Sequence, residues 1–308
     1  QLINLATAGA TLALALYAVR SLNDLRTLFV IVAIWSRYAL SSFDEYTTSS
    51  IAAGFSIISL SSIAVTLIGL ALVPPRFYLR SLYYLWPLLF LMAIVFLSGL
   101  INSEFGGLVK DMMKWLYFIA ISLLLYRAFE MFDPEIVLRG LFAATLTPLL
   151  LQFISIGVGR GSFDATIGKV VYIGGYGSSA AFSLSLFTTL CIGALIKWRY
   201  SFISLFIALI CVSGIYIAQY RTTILAALPL MGIMVSVLML HWTPKVLRPL
   251  SLLYVLVGAI GAVGLAIQFV PPKFLDIVVV LQSVTELMQA PEFFTPAERE
   301  LFSGRIYI

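Results

Sequence analysis

Charged side chains are scarce in this 308-residue chain, where aspartate, glutamate, lysine and arginine together make up 11% of the residues. A soluble domain is about a quarter charged, so this composition excludes an ordinary soluble globular protein. Hydrophobic residues make up 61% of the chain, and the mean hydropathy is +1.05. The composition therefore predicts an all-α polytopic membrane protein.

Cysteine and histidine are nearly absent, with two and one residues respectively. Cys191 and Cys211 fall in neighbouring apolar segments at different depths, which argues against a disulfide or a metal site. Buried packing is predicted for both thiols. His241 falls at the end of an apolar segment, where it is expected to cap a helix.

Long apolar segments fill the chain between its charged clusters. About ten of them have roughly the 20 residues that a helix needs to cross a bilayer. Prolines such as Pro74-Pro75 and Pro271-Pro272 stop the helices between them. The predicted spans are 3–18, 27–43, 51–73, 82–100, 115–129, 136–158, 177–196, 201–219, 222–240 and 250–270, in a single membrane domain covering 1–308.

Pairs of basic residues mark every second connection between these spans. By the positive-inside rule, these connections are cytoplasmic, and the net charge of +5 reflects contact with anionic lipid rather than with nucleic acid. The same alternation leaves Arg160, Arg221 and Arg305 on the external side. The basic pairs are Arg20/Arg26, Arg76/Arg80, Arg127/Arg139, Lys197/Arg199 and Lys245/Arg248.

Two stretches have the pattern of interfacial segments. Residues 104–114 mix apolar and charged side chains before Trp115, which suits the headgroup boundary. The large external loop, 271–308, contains an amphipathic pattern over 273–290. Two interpretations of this pattern stay open: a helix that anchors the loop on the external leaflet, or a lid over a cavity.

A glycine-rich loop joins the sixth and seventh predicted spans. Its glycines, in 159–169 and 174–179, let the backbone approach a ligand, and free amides at the start of the seventh helix attract an anion. Arg160 and Lys169 add positive charge, and Tyr172 and Tyr176 are candidates to stack on a sugar ring. The alternative is an ordinary flexible loop with a serine N-cap.

A tight turn, 219–223, places Arg221 between two long apolar spans on the external side. A charged residue costs on the order of 2.5–3.5 kcal/mol at mid-membrane and less near the interface. The arginine either extends to the lipid headgroups or binds a phosphate or pyrophosphate. A third external element, Ser303-Gly304-Arg305, follows the acidic residues Glu298 and Glu300.

The three segments fall on one face in the order loop, turn and long loop. This arrangement, over about residues 155–308, resembles the O-antigen ligase and polymerase superfamily of bacterial envelope polysaccharide assembly. The segments that carry the resemblance are Gly174–Ser179, Tyr220-Arg221-Thr222 and Ser303-Gly304-Arg305.

The chain departs from the family pattern in three ways. Tyr220 stands where members often have serine, and His241 lies on the cytoplasmic side, whereas the ligase branch has a histidine in the large external loop. This second difference favours a polymerase. The resemblance also implies further spans after the external loop, beyond Ile308.

The resemblance implies a glycosyltransferase of the bacterial inner membrane with its active site on the periplasmic face. It would move glycan from an undecaprenyl-pyrophosphate-linked oligosaccharide to an acceptor glycan. Arg221 and Arg305 would be catalytic and neutralise charge on the departing pyrophosphate, while Arg160 and Tyr220 would help to bind substrate. Pyrophosphate is already a good leaving group, so no metal or cofactor is expected. A polysaccharide export or chain-length protein is a candidate partner.

An acceptor hydroxyl can give its proton to a carboxylate, and several external carboxylates are available. The candidates are Asp44, Glu45, Asp164, Glu286 and the cluster at 292–300, and the sequence does not select among them. The alternatives in function are a ligase of the same superfamily, a transporter of lipid-linked glycan or small molecules, and a non-catalytic scaffold. A transporter would favour ionisable residues deep in spans or interrupted helices in repeated halves.

Overall fold

The computed structural model describes residues 2–52, 55–101, 105–164, 169–196, 202–218 and 220–242. Helices make up 85% of this part, which confirms the all-α class. The tenth predicted span, the external loop 271–308 and Arg305 lie outside the described residues. The helices are α1 (Leu2–Val19), α2 (Leu25–Ser41), α3 (Asp44–Thr47), α4 (Ile57–Leu72), α5 (Pro75–Ile101), α6 (Phe105–Met131), α7 (Pro134–Thr145), α8 (Thr147–Gly157), α9 (Ser179–Leu195), α10 (Phe202–Ile217) and α11 (Arg221–Trp242).

Two short antiparallel hairpins interrupt the helices. The first pairs β1 (Ser50–Ala52) with β2 (Phe55–Ser56), and the second pairs β3 (Ser162–Asp164) with β4 (Lys169–Val171). The first hairpin takes the place of the external end of the third predicted span, and the second falls in a connection that the charge pattern predicts to be external.

Three described helical segments are long and apolar enough to cross a membrane: Leu2–Leu22, Met112–Met131 and Pro134–Gly157. A fourth candidate joins Ile57–Leu72 to Pro75–Ser81 through a bend of 98° at the predicted Pro74-Pro75 break. These helices indicate membrane association. The total of about ten spans stays a prediction.

Several predicted boundaries are wrong by part of a helix. The third span was predicted to begin at residue 51, but α4 begins at Ile57, where the Ser56 side chain accepts a hydrogen bond from the Ser59 amide and caps the helix. The fifth span was predicted to begin at residue 115, but α6 is helical without a break from Phe105, and the interfacial position of 104–114 stays a prediction.

The sixth predicted span corresponds to the segment Pro134–Gly157, in which an irregularity at Leu146 separates α7 from α8. Pro148 has no amide hydrogen to donate to the Ala144 carbonyl, so the regular helix stops there. The Thr147 hydroxyl donates to that carbonyl instead, at 3.4 Å, and the Thr189 hydroxyl of α9 donates to the Thr145 carbonyl at 2.9 Å. Side-chain hydroxyls therefore satisfy the backbone at the break, as an apolar environment requires.

The described helices enclose two buried clusters. The first joins α1, α2, α6 and α7, with Ile31, Leu123 and Leu124 at its centre. The second joins α9, α10 and α11 around Phe182 and Ile215. The second cluster lies beside the segment that leads into α9, and this segment forms part of the candidate site.

The predicted cytoplasmic connections meet one another in the structure. The Arg127 guanidinium binds both carboxylate oxygens of Asp24, at 2.7 and 3.1 Å, and Arg80 pairs with Glu130. Asp24 also caps α2 by accepting hydrogen bonds from the amide and hydroxyl of Thr27, at 2.8 and 2.6 Å. Burial raises the pKa of Asp24, but the hydrogen bonds from Arg127 and Thr27 outweigh it and lower the pKa to about 2.

Candidate functional site

A cleft of about 440 Å³ opens at the end of α2 opposite to Asp24. We call it the polar cleft. Four segments line it: the start of α1, the turn and short helix 42–46 after α2, the end of α8 with the turn that follows, and Gly174–Gly177. All four segments lie on the side that the charge pattern predicts to be external, so the structure brings predicted external connections together around one cavity.

The segment Gly174–Gly177, the glycine strap, forms one wall of the cleft. Gly174 and Gly175 have φ angles of +58° and +90°, a backbone conformation that favours glycine. A Cβ at Gly174 would lie 3.0 Å from the Gln152 amide nitrogen, and one at Gly175 would lie 2.2 Å from the Ser42 carbonyl oxygen. The strap therefore runs between α8 and the turn after α2 with no room for side chains at these positions.

Gln152 holds the strap from beneath. Its side-chain amide donates to the carbonyl of Tyr172, at 2.8 Å, and to that of Gly214 in α10, at 3.0 Å. The side chain is fully buried. Because both bonds are made inside the protein, Gln152 joins α8, the segment before the strap and α10 into one support.

Asp44 lies at the point where the strap meets the short helix α3. Its amide donates to the Gly175 carbonyl at 3.3 Å, and its carboxylate sits against Gly177, where an added Cβ would be 2.0 Å from Oδ2. Burial raises the pKa of Asp44. No cation among the described side chains lies within ion-pair distance of this carboxylate.

Arg160 reaches the cleft from the turn after α8. Gly159, with a φ of +70°, reverses the chain, and the Arg160 amide donates to the Ser155 carbonyl at 2.9 Å. The Ser155 hydroxyl donates to the Arg160 carbonyl in return. The backbone of Arg160 is therefore fixed to α8, while its side chain is exposed.

The two tyrosines of the glycine-rich loop are placed differently. The Tyr176 ring packs edge-on against Phe182 with centroids 5.4 Å apart, and its hydroxyl donates to the Tyr38 carbonyl at 3.4 Å. Tyr176 is 5% exposed, and burial raises its pKa. The Tyr176 ring is therefore part of the hydrophobic core beneath the strap. Tyr172 is half-buried and does not belong to the lining of the cleft.

The serine N-cap of the alternative interpretation is present at the seventh span, since the Ser178 hydroxyl accepts a hydrogen bond from the Ala181 amide at 3.4 Å. Arg221 is the first residue of α11, directly after the half-buried Tyr220. The side chains of Lys169 and Arg221 lie outside the described part of the chain. The structure therefore joins Arg160 to the strap, and it leaves the position of the other predicted cations as a prediction.

The cleft also contains residues that the sequence does not single out, including Asn4, Ser42 and Ser155. They are polar residues in unrelated stretches, and no local pattern links them. In the described ranges, no group of three or more histidine, cysteine, aspartate or glutamate side chains could hold a metal ion.

Comparisons of the chain with protein-family models, with curated proteins and with solved structures give no match. The resemblance to the O-antigen superfamily therefore depends on the three short motifs in the sequence. The geometry of the polar cleft is independent of that resemblance.

Proposed function

We propose that the protein is a polysaccharide polymerase of the bacterial cytoplasmic membrane. It moves glycan from an undecaprenyl-pyrophosphate-linked donor onto an acceptor glycan at the periplasmic face, and its described helices belong to a bundle of about ten spans. The observation that carries the proposal is the polar cleft, which gathers Arg160, the glycine strap and Asp44 in one cavity.

Glycan transfer from a pyrophosphate requires cations around the pyrophosphate leaving group. As the anomeric carbon leaves the pyrophosphate, negative charge grows on the departing oxygen, and arginines stabilise that charge in the transition state. Arg221 and Arg305 fill this role in the proposal. The position of Arg221 supports it, because the first turn of a helix also presents unpaired amides to an anion.

The cleft itself suits a sugar. Carboxylate and guanidinium groups hydrogen-bond to hydroxyls, and the lining supplies Asp44, Glu45 and Arg160. The carrier's hydrocarbon tail requires an apolar surface facing the lipid. The exposed side chains of Trp86 and Phe90 on α5 are examples of such a surface.

The test uses full-length protein in nanodiscs with a lipid-pyrophosphate oligosaccharide, with the products resolved by size. We expect wild type to form a ladder of lipid-linked products and Arg221→Ala to lower the rate by about 100-fold or more. Arg76→Ala is the matched control, because Arg76 is an exposed arginine on the predicted cytoplasmic side, and it should keep the wild-type rate.

Other outcomes would change the assignment. A single transfer product on a different acceptor would indicate a ligase. Folded wild-type protein that consumes no lipid-linked glycan would contradict the glycosyltransferase proposal.

One observation favours a second candidate, a transporter of lipid-linked glycan. Within the apolar segment Pro134–Gly157 the helix is irregular at Leu146–Pro148, and buried threonines surround this point, including Thr11, whose hydroxyl lies 2.8 Å from that of Thr147. Transport would move intact lipid-linked glycan across a sealed liposome membrane, with no glycosidic bond formed. Measuring that transfer alongside product size separates the two candidates.

A further inference from the structure

We propose that the polar cleft is the subsite for the acceptor sugar, and that Asp44 accepts the proton of the attacking hydroxyl. This inference rests on the proposed function and names the proton acceptor, which the mechanism proposed above does not specify. It also divides the site, because it places the pyrophosphate of the donor outside the cleft.

The charges on the lining support this division. Asp44 and Glu45 supply two carboxylates and Arg160 supplies one cation, so the charged groups of the described lining sum to a negative value. A pyrophosphate in the cleft would meet two carboxylates and one guanidinium, so the net interaction would be repulsive. A sugar hydroxyl meets no such repulsion and donates a hydrogen bond to a carboxylate.

Of the two carboxylates, Asp44 is the one held in place. It is half-buried, its amide is bound to Gly175, and its carboxylate contacts Gly177 across the cleft wall. Glu45 is exposed and has a longer, freer side chain. A general base must be positioned relative to the proton that it removes, so the geometry selects Asp44.

The reaction step is a single displacement. The acceptor oxygen forms a bond to the anomeric carbon while the bond from that carbon to the pyrophosphate oxygen breaks, and the bonding electron pair leaves with the pyrophosphate. The hydroxyl proton passes to the Asp44 carboxylate. After the glycan product leaves, the open cleft lets Asp44 return this proton to water.

The first pair of variants compares the two carboxylates. Asp44→Asn removes the basic oxygen with little change in volume, and we expect kcat to fall by about 100-fold or more. Glu45→Gln removes a charge from the neighbouring position in the same lining, and we expect it to raise the KM for the acceptor, with a much smaller fall in kcat than in Asp44→Asn.

In the second pair of variants Asp44 keeps its charge, and one of the two substitutions displaces its carboxylate. An alanine methyl at Gly177 would lie 2.0 Å from Asp44 Oδ2, so the carboxylate must shift in Gly177→Ala. The rate should fall although Asp44 is intact. Gly157→Ala is the matched control, because a Cβ there meets no atom within 4 Å, and it should leave the rate unchanged.

The pH profile provides a readout that a structural role would not give. The titratable and charged groups that share the cleft with Asp44 are Glu45 and Tyr46 from its own turn, Arg160 from the turn after α8, and Tyr176 from the strap. The base acts when ionised, so kcat should fall as the pH drops through the pKa of Asp44, which burial places above that of an ordinary aspartate. This acid limb should disappear in Asp44→Asn and persist in Glu45→Gln.

The subsite assignment has its own test, with a glycan that lacks pyrophosphate and can serve only as an acceptor. Arg160→Ala should raise the KM for this acceptor and leave the KM for the lipid-linked donor unchanged. A rise in the donor KM alone would overturn the assignment, because Arg160 would then bind the donor.

If wild type is active, and Asp44→Asn keeps the same rate and the acid limb of the pH profile, then the proposed role of Asp44 is overturned. The proposed function still stands in that case. Inactive but folded wild type would instead overturn the proposed function. If Asp44→Asn fails to fold, the Gly177→Ala and Gly157→Ala pair decides: equal rates would contradict the proposal, and a loss confined to Gly177→Ala would support it.

Discussion

The two ends of α2 carry aspartates in opposite situations. Asp24, at the start, is bound by Arg127 and Thr27, and its pKa is lowered to about 2 in spite of its burial. Asp44, just past the end, is half-buried against the glycine strap, and burial raises its pKa. The same helix thus has at its start a carboxylate, Asp24, that is paired with an arginine inside the protein. Just past its end is a carboxylate, Asp44, that faces a cavity.

The contrast between the two aspartates distinguishes a carboxylate that stabilises the fold from one that is available for function. A carboxylate with its hydrogen-bond partners inside the protein stabilises the fold, because losing its charge leaves a buried arginine unpaired. A carboxylate that lies beside a cleft, with no described cation within ion-pair distance, destabilises the fold and is available to a ligand. Three stability measurements test this contrast, each made by unfolding purified protein in mixed micelles.

The largest expected effect is at Asp24. Asp24→Asn leaves buried Arg127 without its counter-charge, and we expect the free energy of unfolding to fall by about 3–5 kcal/mol. The pKa of Asp24 is lowered from 3.8 to about 2, so its stabilisation is complete above pH 3.8 and is lost as the pH falls through about 2. The variant should lack this acid-sensitive step.

The matched control is Glu130→Gln, which breaks the ion pair with Arg80, whose side chain is 65% exposed. An exposed pair contributes about 0–1 kcal/mol, so the control should change stability little. Equal effects of Asp24→Asn and Glu130→Gln would contradict the distinction between a buried and an exposed pair.

An intermediate effect is expected at Gln152, which supports the cleft end. Gln152→Leu leaves the Tyr172 and Gly214 carbonyls without their side-chain donor, and we expect a loss of about 1–3 kcal/mol. The variant should also weaken acceptor binding, because the strap loses its support. Unchanged stability would show that water replaces the amide.

The smallest effect, with the opposite sign, is expected for Asp44→Asn. Because the pKa of Asp44 is raised, protonation stabilises the fold, and ionised Asp44 destabilises it at neutral pH. Removing the charge should leave the melting temperature unchanged or slightly higher at pH 7. A clear decrease would mean that the carboxylate is a structural partner after all.

The sequence predicts the grouping of Arg160 with the strap because both lie in one loop and basic residues define the side of each connection. It does not distinguish Asp44 from the other external carboxylates, because what separates them is contact with Gly177, far along the chain. In the same way Arg127 has the pattern of a cytoplasmic charge, but its pairing with Asp24 joins residues 103 positions apart. Local patterns identify which end of a helix a residue occupies, and tertiary contacts decide its partner.

The irregularity at Pro148 is a detail that hydropathy does not resolve. Hydropathy predicts one span over 136–158, and Pro134–Gly157 is long and apolar enough to be one, but a single missing amide hydrogen divides it into α7 and α8 after Thr145. The proline was visible in the sequence. The hydroxyl of Thr189 from another helix, which helps to satisfy the break, was not.

Under the proposed function, the glycine strap also limits how recognition of the acceptor can change in evolution. At Gly174 and Gly175 the left-handed backbone and the neighbouring atoms leave no space for a side chain, so this wall presents bare peptide groups. Substitutions that diversify specificity must therefore accumulate at other lining positions, around 154–162, while the strap stays constant. In a set of related chains, the strap would mark the common architecture and the end of α8 with its turn would record the ligand of each.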